Sequence, residues 1–383
     1  MLHFTREEFE ARRDRLILEM SERKLDAMLL FAQESMYWLT GYDSFGFCFF
    51  QCLAVKADGE MRLLTRSADL RQARHTSILE TIVVWRDRGA ADPGLDLRDM
   101  LDDMGLLGAK IGVEWATHGL TAANGKLVEE RLGSFASLKD ASTLVPMLRA
   151  IKSDAEIAYV REAARLADDA FEAALPLIKP GADEADILHA LQGSILKAGG
   201  DYPANPFIIG SGNDALLCRY KSGRRRLDED DQLTLEWAGV KAQYHAALMR
   251  TVVIGRPSDR HLELHAAASE ALRAVEAMMR PGQTFGDVFD AHAAVMEKHE
   301  LVRHRLSACG YSLGARYAPS WMDMPMFVSG NAEPIQPAMT LFAHMIIMDS
   351  DTGTAMTLGR TYLTTDGDPE PLSRLPLELS IVS

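Results

Sequence analysis

The chain has 383 residues, 47% of them hydrophobic and 25% charged, with a formal net charge of −14 and a mean hydropathy of −0.08. That balance fits a soluble globular protein of two domains and disfavours nucleic acid or an anionic membrane surface as a partner, because phosphate binding relies on clustered cations. No apolar run approaches the ~18 residues of a membrane span, and the charged N-terminus reads as a helix rather than a signal sequence, so a cytoplasmic location is expected.

In chain order, Thr5 with Glu8 opens an amphipathic helix that leads to an apolar strand, Ala27 to Phe31. Leu53 to Val55 and Met61 to Thr65 flank the turn at Asp58-Gly59 and predict a hairpin. Thr81 to Trp85 and Lys110 to Glu114 each read as a buried strand followed by a helix. The alternation predicts an α/β domain over residues 1–150.

Beyond Lys152 the texture changes. Ser153 with Glu156 forms a capping box for a long Ala-rich helix, Asp154 to Ile178, which Lys179-Pro180-Gly181 stops. A second helix runs from Glu184 to about Ala198. The same syntax recurs one hundred and one positions on, with Arg280-Pro281-Gly282 between a helix over about Arg260 to Met279 and another through Asp287 to Lys298. Strand-like sequence follows each pair: Phe207 to Gly210, Gln232 to Trp237 and Leu248 to Ile254, then Thr340 to Met348 and Met356 to Thr364. This predicts an internally duplicated α+β domain over residues 151–383, the alternative being that Pro-Gly merely punctuates unrelated helix pairs.

The basic run Arg224 to Arg226 meets four acidic residues at once and reads as a solvated turn. Cys48, Cys52, Cys218 and Cys309 have no metal or redox spacing, and read as buried small residues in a reducing compartment.

Several landmarks fall in order. They are the K-S-x-x-E-I junction at Lys152 to Ile157, Ser211-Gly-Asn213, the D-x-L-x-L before Glu236, Arg250-Thr251, the G-x-x-x-G of Gly310 to Gly314 and Thr364-Thr-Asp-Gly367. On these the chain resembles the creatinase, prolidase and aminopeptidase P superfamily, with its pita-bread catalytic domain and pseudo-two-fold duplication. Metal-dependent members use Asp, Asp, His, Glu and Glu. The resemblance puts these on Glu236, Ala247, Tyr311, His344 and Gly359, a set too poor in donors for a tight site, so no metal or other cofactor is expected.

Within the superfamily the chain is similar to the metal-free branch, creatinase and above all ectoine hydrolase, through Glu236-Trp-Ala-Gly239, Tyr244-His245, Gly199 to Ala204, Tyr311, Tyr317, Pro319-Ser-Trp321 and Trp38 to Asp43. It departs from that branch at Arg219, where creatinase-like members carry a catalytic His, and at Cys48, where an ectoine-hydrolase tyrosine falls. The resemblance implies hydrolysis of a non-peptide C–N bond in a small zwitterionic or amidine-type solute by a homodimer. The alternatives are a metal-dependent Xaa-Pro dipeptidase and a non-catalytic binding protein of the same fold.

Metal-free hydrolysis needs a base for water, an acid for the departing nitrogen and donors for the oxyanion. Glu236 is the candidate base, unless a cation such as Arg250 holds it, and Trp237 is expected to raise its pKa. His344 and His245 are the candidate proton shuttles. Arg219 suits a substrate carboxylate. Tyr220, Trp237, Tyr311, Tyr317 and Trp321 are the other candidate substrate-binding residues, as hydroxyl donors or aromatic walls for a cation. Phe45 and Gln51 are candidates for closing a neighbouring subunit's pocket, although core packing is the expected role for most of the aromatic cluster Phe45, Phe47, Phe49 and Phe50.

Overall fold

The computed structural model describes residues 2–219 and 225–383. The chain divides into two compact units, Met1–Arg149 and Ala150–Ser383.

The first unit follows the order α1 (Arg6–Glu22), β1 (Ala27–Leu30), α2 (Gln33–Thr40), β2 (Cys52–Lys56), β3 (Met61–Arg66), α3 (Leu70–Thr76), β4 (Thr81–Trp85), α4 (Pro93–Asp103), β5 (Lys110–Val113), α5 (Ala122–Leu132), β6 (Ser137–Asp140) and α6 (Leu144–Ala150). Among the described residues its strands form one sheet in the order β4-β3-β2-β1-β5-β6. The predicted hairpin is the antiparallel β2–β3 pair, whereas β1, β5 and β6 run parallel. Thr5 caps α1 by accepting the Glu8 N–H. Helix α2 escapes prediction because it is buried along its whole length and so has no polar face to give it a helical period. It also lacks a cap of its own. The Glu114 carboxylate, just past β5, accepts the Phe31 and Ala32 N–H groups and the Ser35 hydroxyl at that end.

In this unit Gln51 is fully buried. Its amide donates to Gln33 Oε1 at 2.7 Å and accepts the Tyr42 hydroxyl at 3.1 Å. That corrects its assignment to a substrate pocket, because its polar atoms are committed to the unit's own interior. Phe45 is exposed, as is Phe49. Only Phe50 of the aromatic cluster is a core residue, packed edge-on against Phe31.

The second unit contains α7 (Asp154–Ala174), α8 (Glu184–Lys197), β7 (Ile208–Ser211), β8 (Asp231–Lys241), β9 (Tyr244–Ile254), α9 (Asp259–Met278), α10 (Phe285–Lys298), β10 (Ala308–Ser312), β11 (Asp323–Val328), β12 (Thr340–Asp349), β13 (Thr354–Leu363), β14 (Glu370–Pro371) and β15 (Ser380–Val382). Ser153 and Glu156 form the reciprocal capping box expected at α7. The long sheet runs β11-β10-β12-β13-β9-β8-β7, with β14 added on β13 and β15 on β9. Strands β10 and β11 are not predicted; β10 is five residues long and joins β11 with register shifts, which breaks the period of two.

The duplication is explicit. Asp183 caps α8 and Thr284 caps α10, so Asp186 and Asp287 occupy the same third helical position. The halves meet where β9 pairs β13 antiparallel at Met249↔Gly359 and Leu358↔Arg250. On either side a threonine closes the seam. The Thr361 hydroxyl serves both the N–H and the carbonyl of Ala247, and Thr251 Oγ1 accepts the Thr357 N–H. One face of the sheet carries the helices: Trp237 stacks on Phe171 of α7 at 5.1 Å, and Ala343, Met345 and Leu358 belong to the core that α9 and α10 contribute to.

Candidate active site

Residues directly opposite one another in neighbouring strands project from the same face of a sheet. Register therefore places Glu236, Met249, Gly359 and His344 in one row across β8, β9, β13 and β12. Alternation puts their neighbours on the other face. This corrects the reading of Trp237, whose indole N–H donates to the Ala167 carbonyl of α7 at 2.8 Å. Trp237 is a helix-side core residue and neither lines the site nor tunes Glu236.

Arg250 is likewise not the partner of Glu236. It pairs with Leu235 across the strands and donates to the Met249 and Gly359 carbonyls. Burial, with the charge of nearby Arg360 adding to it, lowers its pKa to about 10.

Glu236 is buried, and that burial raises its pKa to about 7 against the opposing pull of Arg219 and of the Tyr311 hydroxyl. Tyr311, on β10, donates to Glu236 Oε1 at 3.4 Å. Trp321 then donates its indole N–H to the Tyr311 oxygen at 2.9 Å, while its backbone N–H is held by Asn205 Oδ1. Trp321 is only 1% exposed, which corrects its role as an aromatic wall for a cation: its ring is packed near Phe207 and His245.

His245 is also reassigned. Ala204 N–H can only donate, so His245 Nε2 must accept it (3.0 Å), and the ring proton sits on Nδ1, facing the Gly314 carbonyl at 3.4 Å. Both nitrogens are committed, and burial lowers the pKa to about 4. The ring holds Ala204 and is not available as a proton shuttle.

His344 differs. Its ring lies 5.4 Å from that of Tyr311, and its buried Nδ1 has no hydrogen-bond partner among the described residues. Burial first, then the charge of nearby His292 and Arg219, lowers its pKa to about 3. At neutral pH it is an imidazole with an unused polar atom, and its free form is not an imidazolium acid.

Arg219 is exposed and reaches Met322 sulfur at 3.9 Å. Its charge is felt by Glu236, Tyr311 and His344. Cys218, beside it, is partly buried near Glu236. Tyr317 is buried in the loop after β10. Tyr220 and Arg224 lie outside the described residues. Arg225 binds Asp228 and Asp231, and the Asp231 side chain is 3% exposed, so this part of the basic run is a structural clasp rather than a solvated turn. All four cysteines are free, but only Cys52 and Cys309 are buried.

Residues 158–366 match the metallopeptidase family M24 profile, and residues 12–151 match the creatinase/prolidase N-terminal domain. The chain belongs to metallopeptidase family M24. It is 28% identical to ectoine hydrolase of Halomonas elongata over 399 residues, covering 99% of this chain and 98% of that protein. It is 25% identical to creatinase of Bacillus sp. strain B-0618 over 317 residues, 81% of this chain and 76% of that protein. Xaa-Pro dipeptidase from Bacillus anthracis superposes with a TM-score of 0.84 at 20% identity, covering 98% of this chain and 100% of that one, which establishes the shared pita-bread fold.

The M24 family name implies a metal, and of the five positions where the family resemblance puts its ligands only Glu236 and His344 carry a good donor, too few for a tight site. Ala247 and Gly359 offer no donor, and the Tyr311 hydroxyl is pushed well above its ordinary pKa by burial and by Glu236, away from the phenolate a metal would need. At Gly359 even a Cβ would stand 2.8 Å from the Phe342 ring and 2.9 Å from Met249 Cβ. The space a fifth ligand would occupy is filled by hydrocarbon. Among the described residues, the one cluster with ligand spacing is His304, Asp349 and Asp351, whose carboxylates are paired with Arg260 and Arg303.

The row also shows what sequence reading missed. Met249 and Gly359 join the halves with the Phe342 ring beside Gly359, and part of the signal was present: Arg250-Thr251 recurs as Arg360-Thr361 on β13, which marks the matching strands of the two halves.

Proposed function

We propose that this M24 protein is a metal-independent hydrolase that opens a non-peptide C–N bond in a small zwitterionic or amidine-type solute, and that it acts as a homodimer. The observation that carries this reading is the buried Glu236 carboxyl, with a pKa of about 7, among five family ligand positions of which only His344 carries another good metal donor, too few for a tight site.

A carboxyl poised near neutrality takes and returns a proton with little cost in either direction. Glu236 removes a proton from water as the oxygen attacks the carbon of the amide or amidine. It then delivers that proton to the departing nitrogen as the C–N bond breaks, leaving an acid or amide and an amine. Arg219 holds the substrate carboxylate. Neutral His344 offers Nδ1 to orient the water or the nitrogen. The likeness to ectoine hydrolase and creatinase supports this substrate class; the likeness to dipeptidases speaks to the fold alone.

A mass-spectrometric screen of the protein against ectoines, creatine, hydantoins and X-Pro dipeptides, with metal analysis of the same sample, tests the reading. Ring or amidine hydrolysis is expected. Turnover of dipeptides alone, dependent on added metal, contradicts it, and saturable binding of one of these solutes without turnover would instead identify a binding protein.

A further inference from the structure

The hydrogen bonds around Tyr311 have only one consistent direction. An indole nitrogen is a donor and never an acceptor, so the 2.9 Å contact from Trp321 Nε1 occupies the Tyr311 oxygen as acceptor. The one phenolic proton of Tyr311 is then free to point elsewhere, and Glu236 Oε1 lies at 3.4 Å. Trp321 is itself pinned, its backbone N–H bound to Asn205 Oδ1 and its ring near Phe207 and His245. His245 in turn holds Ala204, the residue before Asn205.

We propose that Trp321 is a positioning residue, which directs the Tyr311 hydroxyl proton onto Glu236 Oε1 and so reserves Oε2 as the atom that exchanges a proton with the bound molecule. Trp321 touches no reacting atom. Donation into the Tyr311 oxygen polarises its O–H, which makes it a stronger donor to the carboxylate. The charged form of Glu236 is thereby favoured, partly offsetting the effect of burial. Among the described residues, the other titratable groups facing Glu236 are Arg219 and Cys218 from the segment before β8, and His344 from β12. None of these lies in the Trp321–Tyr311 chain.

The inference deepens the reading of Glu236 as proton carrier, but its test needs no substrate, so its failure is distinct from a failure to find turnover. Infrared pH titration of the full-length protein follows the protonated carboxyl band that is missing in Glu236→Gln. Removing the Tyr311 hydroxyl (Tyr311→Phe) is expected to move the midpoint up by about one pH unit. Trp321→Phe is expected to move it the same way by about a third of a unit. The double variant is expected to match Tyr311→Phe alone, because Trp321 acts only through Tyr311. An unchanged midpoint in Trp321→Phe, or an equal shift from that substitution when Tyr311 is already Phe, overturns the proposal.

Should Trp321→Phe fail to fold, Tyr311→Phe alone decides the matter. One of the five indole N–H resonances of the chain should then move as its acceptor is lost. If all five stay in place, the proposal is wrong.

Discussion

Glu236 and His344 stand at equivalent positions in the two halves of the catalytic unit, each one strand outward from the Met249–Gly359 pair at which the halves meet. A duplicated fold has thus placed two different titratable groups at positions related by its pseudo-symmetry, with a methionine and a glycine between them. Burial disfavours the charged form of both groups and so shifts them in opposite directions. Burial raises the pKa of the acid to about 7 and lowers that of the base to about 3.

The first consequence concerns stability and pH. Glu236 has a folded pKa of about 7, above its ordinary 4.5, so its contribution is fully present below 4.5 and is lost as pH rises through 7. The loss is on the order of 3 kcal/mol. Glu236→Gln removes it. Thermal unfolding should show this variant gaining stability over wild type at about pH 8 and not at about pH 4.5.

For His245 the sign is reversed. Its folded pKa, about 4, lies below its ordinary 6.5, so the stability it contributes is present above 6.5 and lost as pH falls toward 4. Protonation must break the bond from Ala204 N–H. His245→Gln should flatten part of the acid-side decline measured by thermal unfolding between about pH 7 and pH 4.

At Gly359 the prediction is steric. A methyl group there meets the Phe342 ring and Met249 Cβ inside van der Waals distance, so Gly359→Ala should cost about 1–3 kcal/mol in denaturant unfolding. Pairing it with Phe342→Leu should recover part of that loss, since one of the two clashes is with the end of a ring, while that with Met249 Cβ remains.

Trp237 and Glu236 separate stability from chemistry although they are adjacent in sequence. Trp237→Phe leaves the Ala167 carbonyl without its indole donor and weakens the stack on Phe171. A stability loss of about 1–2 kcal/mol is expected, with KM of the substrate found in the screen unchanged within about twofold.

Much of this was legible in the chain. Ser153 and Glu156, the two Pro-Gly stops and the apolar strands carry their own local physics, and they mark the helix pairs and the sheet without reference to anything distant. The row at Glu236 was legible only one residue at a time. Trp237 was misplaced because a run of buried residues on both faces of β8 hides the alternation that separates it from Glu236. His245 and Trp321 were misread for another reason. Their ring nitrogens are committed to Ala204, Gly314 and Tyr311, partners set by tertiary approach that no local pattern encodes.

The most direct test of the account is the hydrolysis rate of the C–N substrate found in the screen, measured on chelator-stripped protein beside Glu236→Gln. The account predicts that stripped protein retains its full rate, that added Mn(II) or Co(II) leaves the rate unchanged, and that Glu236→Gln loses about 100-fold or more. A stripped protein without activity, restored by either metal, would contradict it.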